Sequence, residues 1–131
     1  MNLGVVCGSF HREQVELMLG FAKDEASSKN WEVSEIAWVP GSMEAPLALD
    51  RMLSAGKIDG AVVLGIIERG ETSHGLVMGQ SVTKAIIDLQ LKHGKPIGLG
   101  IIGPGAEPEH IGPRLEPHAR AAVGAVASMA E

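Results

Sequence analysis

The stretch Ala61-Val62-Val63-Leu64-Gly65-Ile66-Ile67-Glu68-Arg69-Gly70-Glu71-Thr72-Ser73-His74 passes from strand to loop to helix. Ala61 to Leu64 is a short apolar run of the kind that fits a strand covered on both faces. Gly65 to His74 then reads as the loop: Gly70 allows a tight turn, and Thr72 and Ser73 are natural N-caps for a helix. Helical spacing runs on from about Ser73 to Lys92, with Leu76, Ser81, Ala85 and Leu89 near one face and Gly94 as the C-cap.

The same unit recurs on either side. Leu3 to Cys7 reads as a buried strand ended by Gly8-Ser9, and Arg12 to about Ser28 as a helix with Val15, Met18, Leu19, Ala22 and Ala26 on one face. Glu32 to Val39 is a second strand stopped by Pro40-Gly41, followed by a helix from Pro46 to Ala55. Pro96 to Ile102 is the last strand, ended by Gly103-Pro104-Gly105, and the last helix runs from about Leu115 to Met129. Alternating strands and helices with apolar strands predict a four-stranded parallel sheet in a three-layer α/β/α sandwich, flavodoxin-like in its right-handed crossovers. One domain spanning residues 1–131 accounts for the whole length. Ligands in such sheets bind outside the carboxyl ends of the strands, which selects the loops 8–12, 40–46, 65–74 and 103–114.

Composition narrows the function. Sixteen acidic residues against eleven Lys and Arg leave a net charge of −5, with no basic cluster of the kind phosphate backbones require, so nucleic acid is not an expected partner. Apolar runs fall far short of the roughly eighteen residues of a membrane span. The start, Met1-Asn2-Leu3-Gly4, has no basic leader and enters a strand at once, and a single cysteine, Cys7, suits a reducing compartment. The expectation is a cytoplasmic protein.

Each strand-end loop carries a candidate and a plainer alternative. In the third, a helix start with a hydroxyl at Thr72 is an anion site, and His74 stands in the first turn to move protons beside it. A capped helix with a solvent-facing histidine explains the spacing equally well. Phe10, directly after the first strand, offers a flat face for a heterocycle, or plugs the strand end. Glu44 would accept hydroxyls, or simply sit well at the helix that Pro46 opens. Arg114 and Arg120 suit a phosphate, or are solvated. Cys7 reads as a small buried hydrophobe rather than a nucleophile, and His93, His110 and His118 as surface residues without metal-ligand spacing. Neither a Walker loop nor a Gly-x-Gly-x-x-Gly follows the first strand.

Together these loops resemble lumazine synthase over essentially the whole chain. The matching segments are GSFHREQVELML from Gly8, VPGSMEAPLAL from Val39, DGAVVLGIIERGETSHGLV from Asp59 and KPIGLGIIGPG from Lys95, with Arg114 before the final helix. The most specific is Arg69-Gly70-Glu71-Thr72-Ser73-His74, and the Gly-Pro-Gly looks like the archaeal branch. The resemblance implies that 5-amino-6-(D-ribitylamino)uracil condenses with 3,4-dihydroxy-2-butanone 4-phosphate to give 6,7-dimethyl-8-ribityllumazine. It implies no cofactor and no metal. It further implies that Phe10 stacks on the pyrimidine, Ser42 and Met43 supply backbone contacts, Glu44 holds the ribityl hydroxyls, and Ile66 and Ile67 line the pocket. Glu71 and Thr72 would bind phosphate, and His74 would transfer protons. Leu99 and Arg114 would come from a neighbouring subunit of a homopentamer, with Arg120 near a second basic position.

The sequence departs from the family pattern where His11 replaces a common Asn and Leu99 a common Phe. Some members assemble pentamers into sixty-subunit shells; the short N-terminus favours a free pentamer here. Two rivals are archaeal riboflavin synthase and an inactive flavodoxin-like shell module. The Gly-Glu-Thr-Ser-His segment speaks against the first, and retention of Phe10, Glu44, Thr72, His74 and Arg114 against the second.

Overall fold

A computed structural model describes residues 1–130. The elements run β1 (Asn2–Gly8), α1 (Arg12–Ser28), β2 (Glu32–Val39), a 3-10 turn (Ser42–Glu44), α2 (Ala45–Ser54), β3 (Gly60–Glu68), α3 (His74–His93), β4 (Ile97–Ala106) and α4 (Pro108–Met129). The strands form one parallel sheet in the order β2-β1-β3-β4. The four-stranded parallel sheet and three-layer sandwich expected from the sequence are therefore present. From β1 the chain first steps outward to β2, then crosses to β3 on the other side, so the switch point lies between β1 and β3.

Alternation along the strands divides the core in two. Leu3, Val5 and Cys7 of β1, with Val62, Leu64 and Ile66 of β3, pack under α1 and α4. Val6 of β1, with Ala61, Val63 and Ile67 of β3, packs under α2 and α3. The buried face of α1 is the expected set of Val15, Met18, Leu19, Ala22 and Ala26. Burying each Leu, Ile or Met of these clusters is worth about 1.5–3 kcal/mol.

Several sequence expectations need correction. The strand expected to stop at Leu64 continues to Glu68, so Gly65, Ile66 and Ile67 are sheet residues and only the remainder is loop. Its partner β4, expected to stop at Ile102, continues through Gly103-Pro104-Gly105 to Ala106, with an irregular register between Ile66 and Glu68. Because β4 is an edge strand, Pro104 costs no interior ladder bond. Gly103, at φ 103°, lies against the Ile67 carbonyl oxygen, where a side chain has no room.

The last helix begins at Pro108 rather than Leu115. Glu107 and His110 form a reciprocal cap, the Glu107 N–H donating to His110 Nδ1 at 3.1 Å. Pro113 and Pro117, inside the helix, both lie on its exposed side, where the carbonyls they leave unbonded can meet water. Arg114 consequently sits inside the helix, not before it. Finally, β2 is half-exposed and carries Glu32 and Glu35, charges that protect an edge from pairing with another sheet.

The helix α3 buries only part of the face its spacing suggested, Leu89 packing on the core and Ala85 half-buried. Gly79, Val82 and Ile86 are buried, whereas Leu76 and Ser81 are exposed. Glycine decides this: a Cβ at Gly79 would stand 2.7 Å from Pro104 and one at Gly75 3.1 Å from the Glu68 carbonyl oxygen. The small residues let α3 pack closely on the ends of β3 and β4. At the far end His93, expected on the surface, is largely covered and lies 2.7 Å from Asp50 of α2, with Lys92 at 3.1 Å from the same carboxylate. These contacts hold the Asp50 carboxyl below its usual pKa, His93 contributing most.

The close packing can be checked at Gly98, whose missing Cβ would collide with the Ala122 carbonyl of α4. Gly98→Ala should lower stability by about 1–3 kcal/mol in urea unfolding at fixed protein concentration. Gly20→Ala, in a helix with open space around it, should raise stability by about 0.5–1 kcal/mol. Equal effects at the two positions would contradict this account of the packing.

Candidate active site

Three strand ends converge at the switch point. From β1 come Phe10 and His11; from β2 and its 3-10 turn come Pro40, Gly41, Ser42, Met43 and Glu44; from β3 and the loop before α3 come Ile66 to Gly70, Thr72 and His74. They surround a cleft of about 480 Å³, within the range of small-molecule sites. The structure thus brings together eight of the residues singled out in the sequence: Phe10, Ser42, Met43, Glu44, Ile66, Ile67, Thr72 and His74.

Phe10 is 70% exposed, which excludes a plug over the strand end and leaves its ring available to a ligand. Glu44 occupies the N-cap position of α2 but makes no side-chain cap bond, so its carboxylate faces the cleft uncommitted. Ser42 is the one buried polar side chain among the described residues. At the start of α3, Ser73 is the N-cap without using its hydroxyl; Thr72 Oγ1 instead accepts from the His74 backbone N–H at 3.3 Å. The hydroxyl, the free N–H groups of the first turn and the His74 ring therefore lie together, an arrangement suited to an anion with a proton donor beside it. Glu71 borders a second depression of about 460 Å³ with Thr72, Ser73, Leu76, Pro104 and Gly105 on the other side of the same loop.

Besides Glu71, two expected site residues lie outside this cleft. Leu99 lies on β4 on the face of Ile97 and Ile101, exposed beyond the edge of α3. Arg114 is exposed on α4, its guanidinium donating to the His110 carbonyl at 3.1 Å. Arg120 is committed elsewhere, bonded to Glu116 at 2.8 Å and to Glu25 at 3.0 Å beneath the Phe21 ring. Those two bonds raise its pKa, Glu116 first, and Arg120 also lowers that of Glu25, after the larger effect of Lys29. Nor are His110 and His118 simply solvated: both are partly covered, and His110 belongs to the α4 cap.

Reading the sequence missed Glu68, which ends an otherwise apolar strand at the cleft; a lone carboxylate there was the available signal. Its Oε1 lies 2.7 Å from His11 Nε2. That nitrogen is shielded from solvent and has no hydrogen-bond partner, because the carboxylate lies off its N–H direction. His11 is held in the left-handed region, φ 56° and ψ 49°, as N-cap of α1. Asn and His are both among the residues that tolerate such backbone, which is why either can stand here. Among the described residues there is no group of three side chains placed to hold a metal ion, and no helix is long and apolar enough to cross a membrane.

Cys7 is fully buried, and burial pushes its thiol up to about 12, against smaller downward pulls from Arg12 and Lys23. It should resist iodoacetamide at pH 8 in the native protein and react on unfolding in urea. Rapid native alkylation would contradict its assignment to the core.

The family model described as 6,7-dimethyl-8-ribityllumazine synthase matches residues 1–131. Proteins named 6,7-dimethyl-8-ribityllumazine synthase from three organisms align along most of the chain. That of Metallosphaera sedula is 40% identical over 130 residues, covering 99% of this chain and 86% of its own. That of Staphylothermus marinus is 38% identical over 128 residues, covering 98% and 85%. That of Methanobrevibacter smithii is 36% identical over 123 residues, covering 94% and 85%.

Proposed function

The chain belongs to the 6,7-dimethyl-8-ribityllumazine synthase family, and from that premise we propose how its cleft performs the family's reaction. The enzyme is a transferase of riboflavin biosynthesis that makes 6,7-dimethyl-8-ribityllumazine from 5-amino-6-(D-ribitylamino)uracil and 3,4-dihydroxy-2-butanone 4-phosphate. One observation carries the assignment of roles: Phe10, Glu44, Thr72 and His74, from three separate strand ends, line one cleft.

The uracil ring stacks on Phe10 against the strand end formed by Ile66 and Ile67. Its ribityl hydroxyls donate to Glu44, and the backbone at Ser42 and Met43 completes that end. The phosphate substrate lies at the start of α3, where the Thr72 hydroxyl and the N–H groups near Glu71 meet its anion. The 5-amino group attacks the ketone, and loss of water gives an imine. Elimination of phosphate follows as a carbon-bound proton is removed. The enol left by that elimination tautomerises to a new ketone, the ribitylamino nitrogen closes on it, and a second water leaves. His74, beside the phosphate, moves the protons. Most of the rate comes from holding two substrates in register, so the chain's own dipoles and rigid strand ends do the larger share.

The working form is a homopentamer in which Leu99 and Arg114 of a neighbouring copy close the cleft, Leu99 against the ring and Arg114 on the phosphate. Support comes from the exposed apolar side chains of α3 (Leu76, Val77, Ile87 and Leu91) beside the edge strand that carries Leu99. A single domain of residues 1–131, of the archaeal type and acting in the cytoplasm, completes the proposal.

Purified protein given both substrates should develop lumazine absorbance and fluorescence. His74→Ala should lower kcat by about 10²–10⁴-fold, whereas Arg114→Ala should act chiefly on the KM of the phosphate substrate. Native mass measurement should give five copies or a multiple of five. Absence of product would contradict the assignment, and riboflavin formed from the lumazine alone would transfer it to riboflavin synthase.

A further inference from the structure

Two groups in the cleft have no part in the reaction steps, His11 and Glu68. The left-handed backbone at His11 turns its ring toward the end of β3, and the Val15 N–H donates to its carbonyl at 3.0 Å as α1 begins. This anchors the ring at a helix start rather than in a mobile loop. Glu68 is anchored as firmly, paired to Ala106 across the sheet, with the adjacent Arg69 N–H donating to the Ala106 carbonyl at 2.9 Å.

The surrounding cations are engaged elsewhere. Arg12 bonds Glu16 at 3.1 Å and covers the Trp38 ring, while Arg69 lies 3.2 Å from Glu107. Among the described residues His11 is the one cation-capable side chain on Glu68. A shielded ring nitrogen without a partner is costly, and the terminal torsion of a carboxylate is soft. A small rotation of the Glu68 carboxyl group brings one oxygen into line with His11 Nε2. The second oxygen then stays with the exposed part of the side chain, which is 45% accessible and borders the cleft.

That oxygen is an acceptor only. Glu68 shares the cleft with Phe10 and follows Ile66 and Ile67 on β3, whose side chains offer a ring N–H nothing. A uracil stacked on Phe10 carries N–H donors on its edge, and burying one unpaired is unfavourable. We propose that Glu68, oriented by His11, accepts an N–H of the heterocyclic substrate, with His11 as a positioning residue that does not itself touch the ring. This rests on the proposed lumazine synthase reaction.

Steady-state kinetics with each substrate varied in turn will test it, on wild type, Glu68→Gln, His11→Asn and the double variant, with thermal melts of each. Glu68→Gln should raise the KM for ribitylaminouracil about tenfold. The KM for butanone phosphate and kcat should stay within about twofold. His11→Asn should raise the same KM by a smaller factor, and the double variant should fall short of the combined effect of the two, since both changes weaken one hydrogen bond. Isothermal titration of wild type and Glu68→Asp with ribitylaminouracil alone gives an activity-independent measure, and the shortened side chain should bind more weakly. An unchanged ribitylaminouracil KM in Glu68→Gln, an equal rise in both KM values, or additive effects in the double variant would overturn the inference while leaving an active wild type in place. A wild type that makes no product contradicts the proposed function itself.

Discussion

Everything at the active edge depends on how far β3 runs. It lies between β1 and β4, is buried on both faces from Gly60 to Ile67, and meets water only at Glu68. Two helical layers cover it, so its side chains cannot slip by one residue without moving every apolar group to the wrong core. That register places Ile66 and Ile67 at the rim, aims Glu68 at His11, and sets where α3 starts. The Gly-Pro-Gly of β4 serves the same end: Gly103 lets β4 lie close to the Ile67 carbonyl, and Pro104 fits against Gly79 of α3. The start of α3 at Thr72 and His74 is positioned by this packing.

The charges fall into two kinds. Around the outside they pair locally, Arg120 with Glu116 and Glu25, Lys29 with Glu25, and Lys92 and His93 with Asp50. The Arg120–Glu25 pair ties α4 to α1 and the Asp50 cluster ties α2 to α3, while the other two are i,i+4 pairs that contribute little. In the cleft, by contrast, Glu44 is uncommitted and Glu68 has a partner that is not yet aligned. Polar groups left unsatisfied at a rim formed by rigid strand ends are what a pre-organised binding site requires.

Much of this was legible in the sequence. Periodicity identified the α1 face, because Val15, Met18, Leu19, Ala22 and Ala26 recur at three- and four-residue steps while the charged residues fall on the other side. Most cleft residues were legible because they sit at or just after the carboxyl end of a strand. What stayed hidden has a physical cause in each case. Glycine and proline signal a turn in isolation, yet Gly65 and Gly103-Pro104-Gly105 continue strands, Gly103 because the Ile67 carbonyl takes the space of a side chain. On α3 the buried face begins with Gly79 ahead of Val82 and Ile86, while Leu76, Val77, Ile87 and Leu91 are exposed, so apolar residues lie on both sides and spacing alone does not pick the face. The coupling of His11 to Glu68 spans far-separated positions, and no local pattern reports it.

The account makes the cleft incomplete in one copy, since Arg114 lies away from it on the chain that supplies Thr72 and His74. Mixing subunits tests that most directly. His74→Ala and Arg114→Ala proteins, each impaired alone, are dissociated, combined and reassembled, and the rate of lumazine formation is measured at low phosphate-substrate concentration. Shared sites predict recovery well above the sum of the two parents, because some clefts then pair an intact His74 with a neighbour's intact Arg114. A rate equal to that sum, with mixed assemblies confirmed by native mass, would contradict a site built between copies.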